Sequence, residues 1–138
     1  MLKTLAFIVL ALSVSCVADA SDRFVVEVTA DFDADGVDDS ASLLEVAGKL
    51  EIVIQRGGAS SAEKQTLEFE VKPSVQAAVC ALPATIEVSA LSCSPMDEAL
   101  PGCRESSFAN QLILSGGDCD PILLYWNHTA GQMYWWRL

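Results

Sequence analysis

The chain is poor in the residues that most chemistry is built from. A single histidine, His128, stands among 138 residues, and no C-x-x-C pair occurs. Both scarcities argue against zinc, which draws on closely spaced Cys and His ligands. G-x-S-x-G, H-E-x-x-H and G-x-x-x-x-G-K-[ST] are missing as well, which removes the motifs of serine hydrolases, zinc proteases and P-loop nucleotide binders. A Ser–His–Asp arrangement would have to use His128 in the turn-like stretch "NHT". No catalysis is expected. Cations are scarce: 8 Lys and Arg stand against 19 Asp and Glu, a net charge of −11. An acidic chain of this kind is repelled by phosphate backbones and anionic membrane surfaces, so nucleic acid is not expected as a partner. Helical periodicity is sparse, and there is no low-complexity segment.

The N-terminus, "MLKTLAFIVLALSVSCVADA", has one Lys followed by an uncharged apolar run over 5–18. That run is shorter than the about 20 apolar residues a membrane span needs. Ala18 and Ala20 supply an A-x-A cleavage pattern, so residues 1–20 read as a secretory signal peptide and residues 21–138 as one exported domain, periplasmic or secreted. Lipidation at Cys16 is the less favoured alternative. Beyond the signal the chain keeps Cys80, Cys93, Cys103 and Cys119. An even number in an exported protein implies two disulfides. Of three possible connectivities, Cys93–Cys103 with Cys80–Cys119 is preferred, a short loop nested in a longer one.

What recurs is strand-like alternation of period two, bounded by turn residues. Strands are expected over 24–30, 40–46, 50–55, 66–71, 85–91, 111–115, 122–126 and 132–138. Residues 74–81 fit either a short helix or another strand, and residues 92–107 an irregular disulfide-stapled loop. The expectation is an all-β, antiparallel fold of about eight strands in two four-stranded, blade-like units, within a single domain.

Between the first two strands lies "DFDADGVDD", residues 31–39, with five carboxylates. Unneutralised, they would raise one another's pKa values and strain the fold. Calcium takes six to eight oxygen ligands, and a tight loop supplies them from positions one, three and five as carboxylates, seven as a backbone carbonyl and nine as a further ligand, with Gly at six for the bend. Asp31, Asp33, Asp35, the Val37 carbonyl and Asp39 fill those slots around Gly36, while Asp38 falls outside them. Position twelve is Ser42, not the bidentate Glu of a helix–loop–helix site, and the flanks are strand-like. The stretch resembles the D-x-D-x-D-G-x-x-D calcium loop of FG-GAP and VCBS-type repeats. The resemblance covers about 24–54 and implies the same five ligands on a strand-to-strand turn. Whole propellers need four to eight blades, so the chain is similar to small exported bacterial proteins with one such loop.

Trp126, Trp135 and Trp136, with Tyr125 and Tyr134, crowd the C-terminal segment. On paired strands 122–126 and 132–138 they would face both sides of the hairpin, half of them filling the core and the rest capping a sheet face. The expected role is thus a calcium-binding exported module, structural or binding in function. The alternative is a carbohydrate- or protein-binding module that uses the aromatic cluster, with an unidentified protein or glycan as partner.

Overall fold

In the computed structural model, residues 23–58 and 63–137 are described. The expected signal peptide, Cys16 and the start of the mature chain lie outside them.

Alternation becomes two sheets that share one core. In the first, β1 (Arg23–Ala30), β2 (Asp39–Val46), β3 (Lys49–Gln55) and β4 (Lys64–Val71) form an antiparallel meander. A two-residue strand, β5 (Ala78–Val79), adds to β4 in parallel. In the second, β6 (Ala84–Ala90), β7 (Asn110–Gly116), β8 (Ile122–Asn127) and β9 (Gln132–Arg137) form another antiparallel meander. The described residues are thus all-β apart from a 3-10 turn at Pro95–Asp97. The two units legible in the sequence are the two sheets. The ambiguous segment 74–81 contributes a strand, not a helix.

The pleat sends successive side chains to opposite faces. On β3, Leu50, Ile52 and Ile54 are buried while the residues between them are partly exposed. On β2 the inward set is Asp39, Ala41 and Leu43. Opposite, Leu112 and Leu114 of β7 and Ile122, Leu124 and Trp126 of β8 complete one apolar cluster with Phe69 and Met133. Each such large side chain contributes about 1.5–3 kcal/mol on full burial.

β8 is buried on both faces, although one face alone meets the core. Its outer face lies under the irregular segment 91–109. The Tyr125 hydroxyl and the Asn127 amide both donate to the Pro101 carbonyl, at 3.1 and 3.0 Å, and the His128 N–H donates to Gly102 O at 2.8 Å. Cys93–Cys103 closes that segment, and Cys80–Cys119 ties the chain before β6 to the β7–β8 turn. Both pairs have Cα atoms 5.5 Å apart, within the range a disulfide spans. The pairing is the one preferred from spacing.

The sheets are also tied by side chains. Gln65 of β4 behaves like an extra strand residue, donating to Met133 O at 2.8 Å and accepting from Met133 N–H at 2.7 Å. Asn110 N–H donates to Asp31 O at 2.9 Å, which joins β7 to the end of β1. Among the described residues, no helix is long and apolar enough to cross a membrane.

Candidate metal centre

The β1–β2 register ends with Ala30 opposite Asp39, so residues 31–38 close one end of the sandwich as a loop. Phe32 anchors it: only 1 % exposed, it continues the core under the loop. Asp31 and Asp33 flank that anchor and are themselves buried, at 8 % and 6 %. Asp39 is buried for a different reason, because it extends the inward-facing set of β2. One oxygen from each of Asp31, Asp33 and Asp39 lies within 4.8 Å of the others.

Backbone geometry sets the aim of these carboxylates. Gly36 turns the chain at φ 89°, a left-handed conformation that glycine adopts without the side-chain clash other residues meet. Ala34 sits at φ 61°, which costs an L-residue roughly 1–2 kcal/mol. The two turns point loop N–H groups inward. Gly36 N–H donates to Asp31 Oδ2 at 2.9 Å, Asp35 N–H to Asp33 Oδ1 at 3.1 Å, and Val37 N–H to Asp35 Oδ1 at 2.8 Å. Each of these three aspartates thereby commits one oxygen to the loop backbone and keeps one free of it. Asp39 commits both, accepting from Phe32 N–H at 3.0 Å and Gly57 N–H at 2.8 Å.

The remaining oxygens have unequal fates. Asp33 Oδ2 accepts from Arg56 Nε at 2.6 Å and is also paired with Arg56 Nη2. Asp35 Oδ2 stands 3.7 Å from the same Nη2. Asp31 Oδ1 is buried and has no hydrogen-bond partner. A buried carboxylate oxygen left unpaired beside two other carboxylates is costly, since burial penalises charge and like charges add to the penalty.

Electrostatics follow this layout. Burial pushes the Asp39 carboxyl above its ordinary range; the N–H groups of Gly57 and Phe32 work against that shift, and the charges of Asp33 and Asp35 reinforce it. For Arg56, burial pulls the pKa down, but the hydrogen bond to Asp33 and the charges of Asp33, Asp35 and Asp39 outweigh it, so the group is held more firmly as a cation. Arg56 neutralises one charge of several.

Of the five residues the sequence assigns as ligands, the structure brings together the carboxylates of Asp31, Asp33 and Asp39. The Asp35 carboxylate is turned toward Arg56, with its side chain 34 % exposed. Val37 is exposed at 43 % and enters the loop's bonding through its N–H. Asp38 is exposed, as is Asp35.

Arg56 was not singled out from sequence, and a signal for it existed. In the β2–β3 hairpin Ser40 pairs with Gln55, so one step further Arg56 stands opposite Asp39. It is followed by Gly57, where an added Cβ would overlap the Asp38 carbonyl oxygen. "RGG" is the segment that lies against the acidic loop. The guanidinium carbon of Arg56 also stands 5.1 Å above the Trp126 ring, a cation–π distance, and its Nη1 is 3.7 Å from Glu63.

The C-terminal aromatics do not gather on one face. Trp126 and Tyr125 are buried, at 7 % and 2 %. Tyr134 and Trp135 are both partly exposed, but as neighbours on β9 they point to opposite sides. Tyr134 packs edge-on to Tyr125 and Trp135 edge-on to Phe69, with centroids 6.4 and 6.1 Å apart. Burial lowers the pKa of His128 from the ordinary histidine value; the Arg104 charge adds to this and Asp33 opposes it. No protein-family model, curated protein or solved structure matches this chain.

Proposed function

We propose that residues 31–39 bind calcium, and that the protein is a calcium-stabilised exported β-module with a structural or binding role, not a catalytic one. The observation that carries this reading is the buried, partnerless Oδ1 of Asp31, set in a group of three buried carboxylates. A bound cation would turn that mutual repulsion into attraction. The donor set is all oxygen, which suits calcium or magnesium and not the softer metals. Calcium tolerates irregular shells at about 2.3–2.6 Å, whereas magnesium demands a near-octahedral shell at about 2.0–2.1 Å and sheds water reluctantly. A loop whose carboxylates are fixed by backbone N–H groups suits the more tolerant ion. The sequence resemblance to FG-GAP-type loops supports the same assignment. Two disulfides and the signal-like N-terminus support an oxidising, exported setting.

The test is a pair of melting curves, one in chelator and one in millimolar calcium. An ion that binds only the native state stabilises by RT ln(1 + [L]/Kd), about 2.7 kcal/mol at a hundredfold excess over Kd. For a domain of this size that is on the order of 10 °C. Asp33→Ala should remove most of the shift and Asp38→Ala should spare it. Magnesium should give a smaller shift than calcium. Identical curves for the unsubstituted protein in chelator and in calcium would sink the reading.

A further inference from the structure

We infer that Arg56 is a built-in competitor for the metal: it occupies the acidic loop in the metal-free protein, and calcium displaces it off the loop and the Trp126 ring toward Glu63. The inference rests on the calcium reading of the loop and adds how that site is tuned and how its occupancy is transmitted.

The argument starts from which oxygens are free. Asp31, Asp33 and Asp35 each give one oxygen to a loop N–H. The carboxylates that lie together are those of Asp31, Asp33 and Asp39, and among their oxygens Asp31 Oδ1 and Asp33 Oδ2 take no loop N–H. Asp33 Oδ2 is bonded to Arg56 through both Nε and Nη2, and Asp35 Oδ2 lies 3.7 Å from Nη2. A metal among the three clustered carboxylates and the guanidinium therefore contest Asp33 Oδ2, while Asp31 Oδ1 is uncontested. A divalent ion placed among them would also repel the guanidinium directly at a separation where burial weakens screening. The two cations cannot share Asp33 Oδ2 without loss to both.

Arg56 has somewhere to go. Its other nitrogen, Nη1, already stands 3.7 Å from Glu63, which is exposed. It borders an open cleft of about 170 Å³ lined by Glu63, Gln65, Trp126 and Gln132. Rotation away from the loop keeps the guanidinium in an open cleft, mixed polar and apolar, that Lys64 also lines, with the Glu63 carboxylate at hand. Because that guanidinium now stands over the Trp126 ring, its departure changes the surroundings of a buried indole. Trp126 belongs to the shared core, so the metal state of the loop is registered in the second sheet.

Calorimetric titration of the full chain with calcium, read in parallel with tryptophan emission, tests this. Arg56→Met keeps an unbranched apolar stem over Trp126 and removes the charge. It should bind calcium about tenfold more tightly than the unsubstituted protein, the equivalent of one charged hydrogen bond no longer broken on binding. In chelator it should melt lower, having lost its counter-ion, a sign opposite to its gain in affinity. Calcium should alter indole emission in the unsubstituted protein. The change should vanish in Trp126→Phe, which still binds the metal, and shrink in Arg56→Met. Arg56→Lys retains the charge without the fork and should bind with intermediate affinity, which keeps the test available should Arg56→Met fail to fold. If Arg56→Met or Arg56→Lys binds calcium no more tightly than the parent, while the parent binds normally, Arg56 is not a competitor. If neither parent nor variants bind calcium, the reading of the loop itself falls, and the inference with it.

Discussion

Two irregular segments of this protein, residues 31–38 and residues 91–109, are closed by opposite means. The second is stapled by Cys93–Cys103, and its polar groups find partners in the chain: Leu100 N–H on Cys93 O, Cys93 N–H on Glu105, and Pro101 O taken by Tyr125 and Asn127. The first has no covalent staple. It is held by Phe32 in the core and by carboxylates bonded to its own N–H groups. Among the described residues two buried side-chain oxygens lack partners, Asp31 Oδ1 and Ser89 Oγ, and neither lies within 91–109. The stapled loop satisfies its buried side chains within the chain; the acidic loop leaves one buried carboxylate oxygen unpaired, the opening the proposed calcium would fill. The two segments should therefore respond to different agents.

The largest effect should come from the cystines, and it should ignore calcium. Cys80–Cys119 closes a separation of 39 residues and Cys93–Cys103 one of 10. Loop-closure entropy gives about 4 kcal/mol for the former and about 3 kcal/mol for the latter. Denaturant unfolding of Cys80→Ala/Cys119→Ala and of Cys93→Ala/Cys103→Ala should show these losses equally in calcium and in chelator. A loss for either pair that appears only in calcium would join the two segments into one unit and break the contrast.

Next in size is the calcium shift itself, about 2.7 kcal/mol at a hundredfold excess over Kd. It should survive reduction of Cys93–Cys103 in any molecules that remain folded. Asp31→Asn sharpens the point. It leaves Oδ2 chemistry available to Gly36 N–H but removes the charge beside the unpaired oxygen, so the metal-free protein should gain stability while the calcium shift shrinks. Loss of stability in chelator would mean that the Asp31 charge is already balanced within the chain.

A smaller effect is expected at Gly57, whose N–H bonds Asp39 Oδ1. An alanine Cβ there would overlap the Asp38 carbonyl oxygen, and forcing atoms into packed space costs typically about 1–3 kcal/mol. Gly36 makes the useful comparison: nothing lies within 4 Å of an added Cβ there, so Gly36→Ala suffers only its left-handed φ. Gly57→Ala should reduce calcium affinity as well as stability, because the shift takes the Gly57 N–H from Asp39 and disturbs one of the three clustered carboxylates. Equal calcium affinity in Gly57→Ala and the parent would show that β3's exit does not help shape the site.

How much of this was legible in the sequence differs between the same two regions. Alternation in 50–55 and 40–46 gave the strands, since Leu50, Ile52 and Ile54 alternate inward as a half-buried sheet requires. The spacing of Asp31, Asp33, Asp35 and Asp39 marked the loop because ligand geometry is local and repeats at fixed offsets. The cystine pairing was one of three, and the preferred one, a short loop nested in a longer one, is the pairing present. Arg56 was hidden because it meets Asp33 across 23 residues of chain, through a register that has to be built before it can be read. β5 was ambiguous because two residues carry no periodicity. The two-sided placement of the aromatic tail was legible, because alternation along paired strands sends Tyr134 and Trp135 to opposite sides of β9.

The smallest expected effect sits where the two regions come closest electrically, at His128. Burial and the Arg104 charge depress its pKa below 6.5, while Asp33 of the acidic loop pulls the other way. A histidine with a depressed folded pKa is neutral in both states well above pH 6.5. As the pH falls below 6.5 the unfolded chain takes up a proton first, so the folded state loses stability progressively until the folded-state pKa is reached. His128→Gln should remove that loss. Melting temperatures of the two proteins, measured at steps from pH 7.5 to 5 in chelator, should diverge in favour of the variant below pH 6.5 and run parallel above it. Calcium should widen the divergence slightly, because a cation among the aspartates cancels the one charge that raises the His128 pKa. Curves that stay parallel through the whole range would show that His128 titrates alike in folded and unfolded chains.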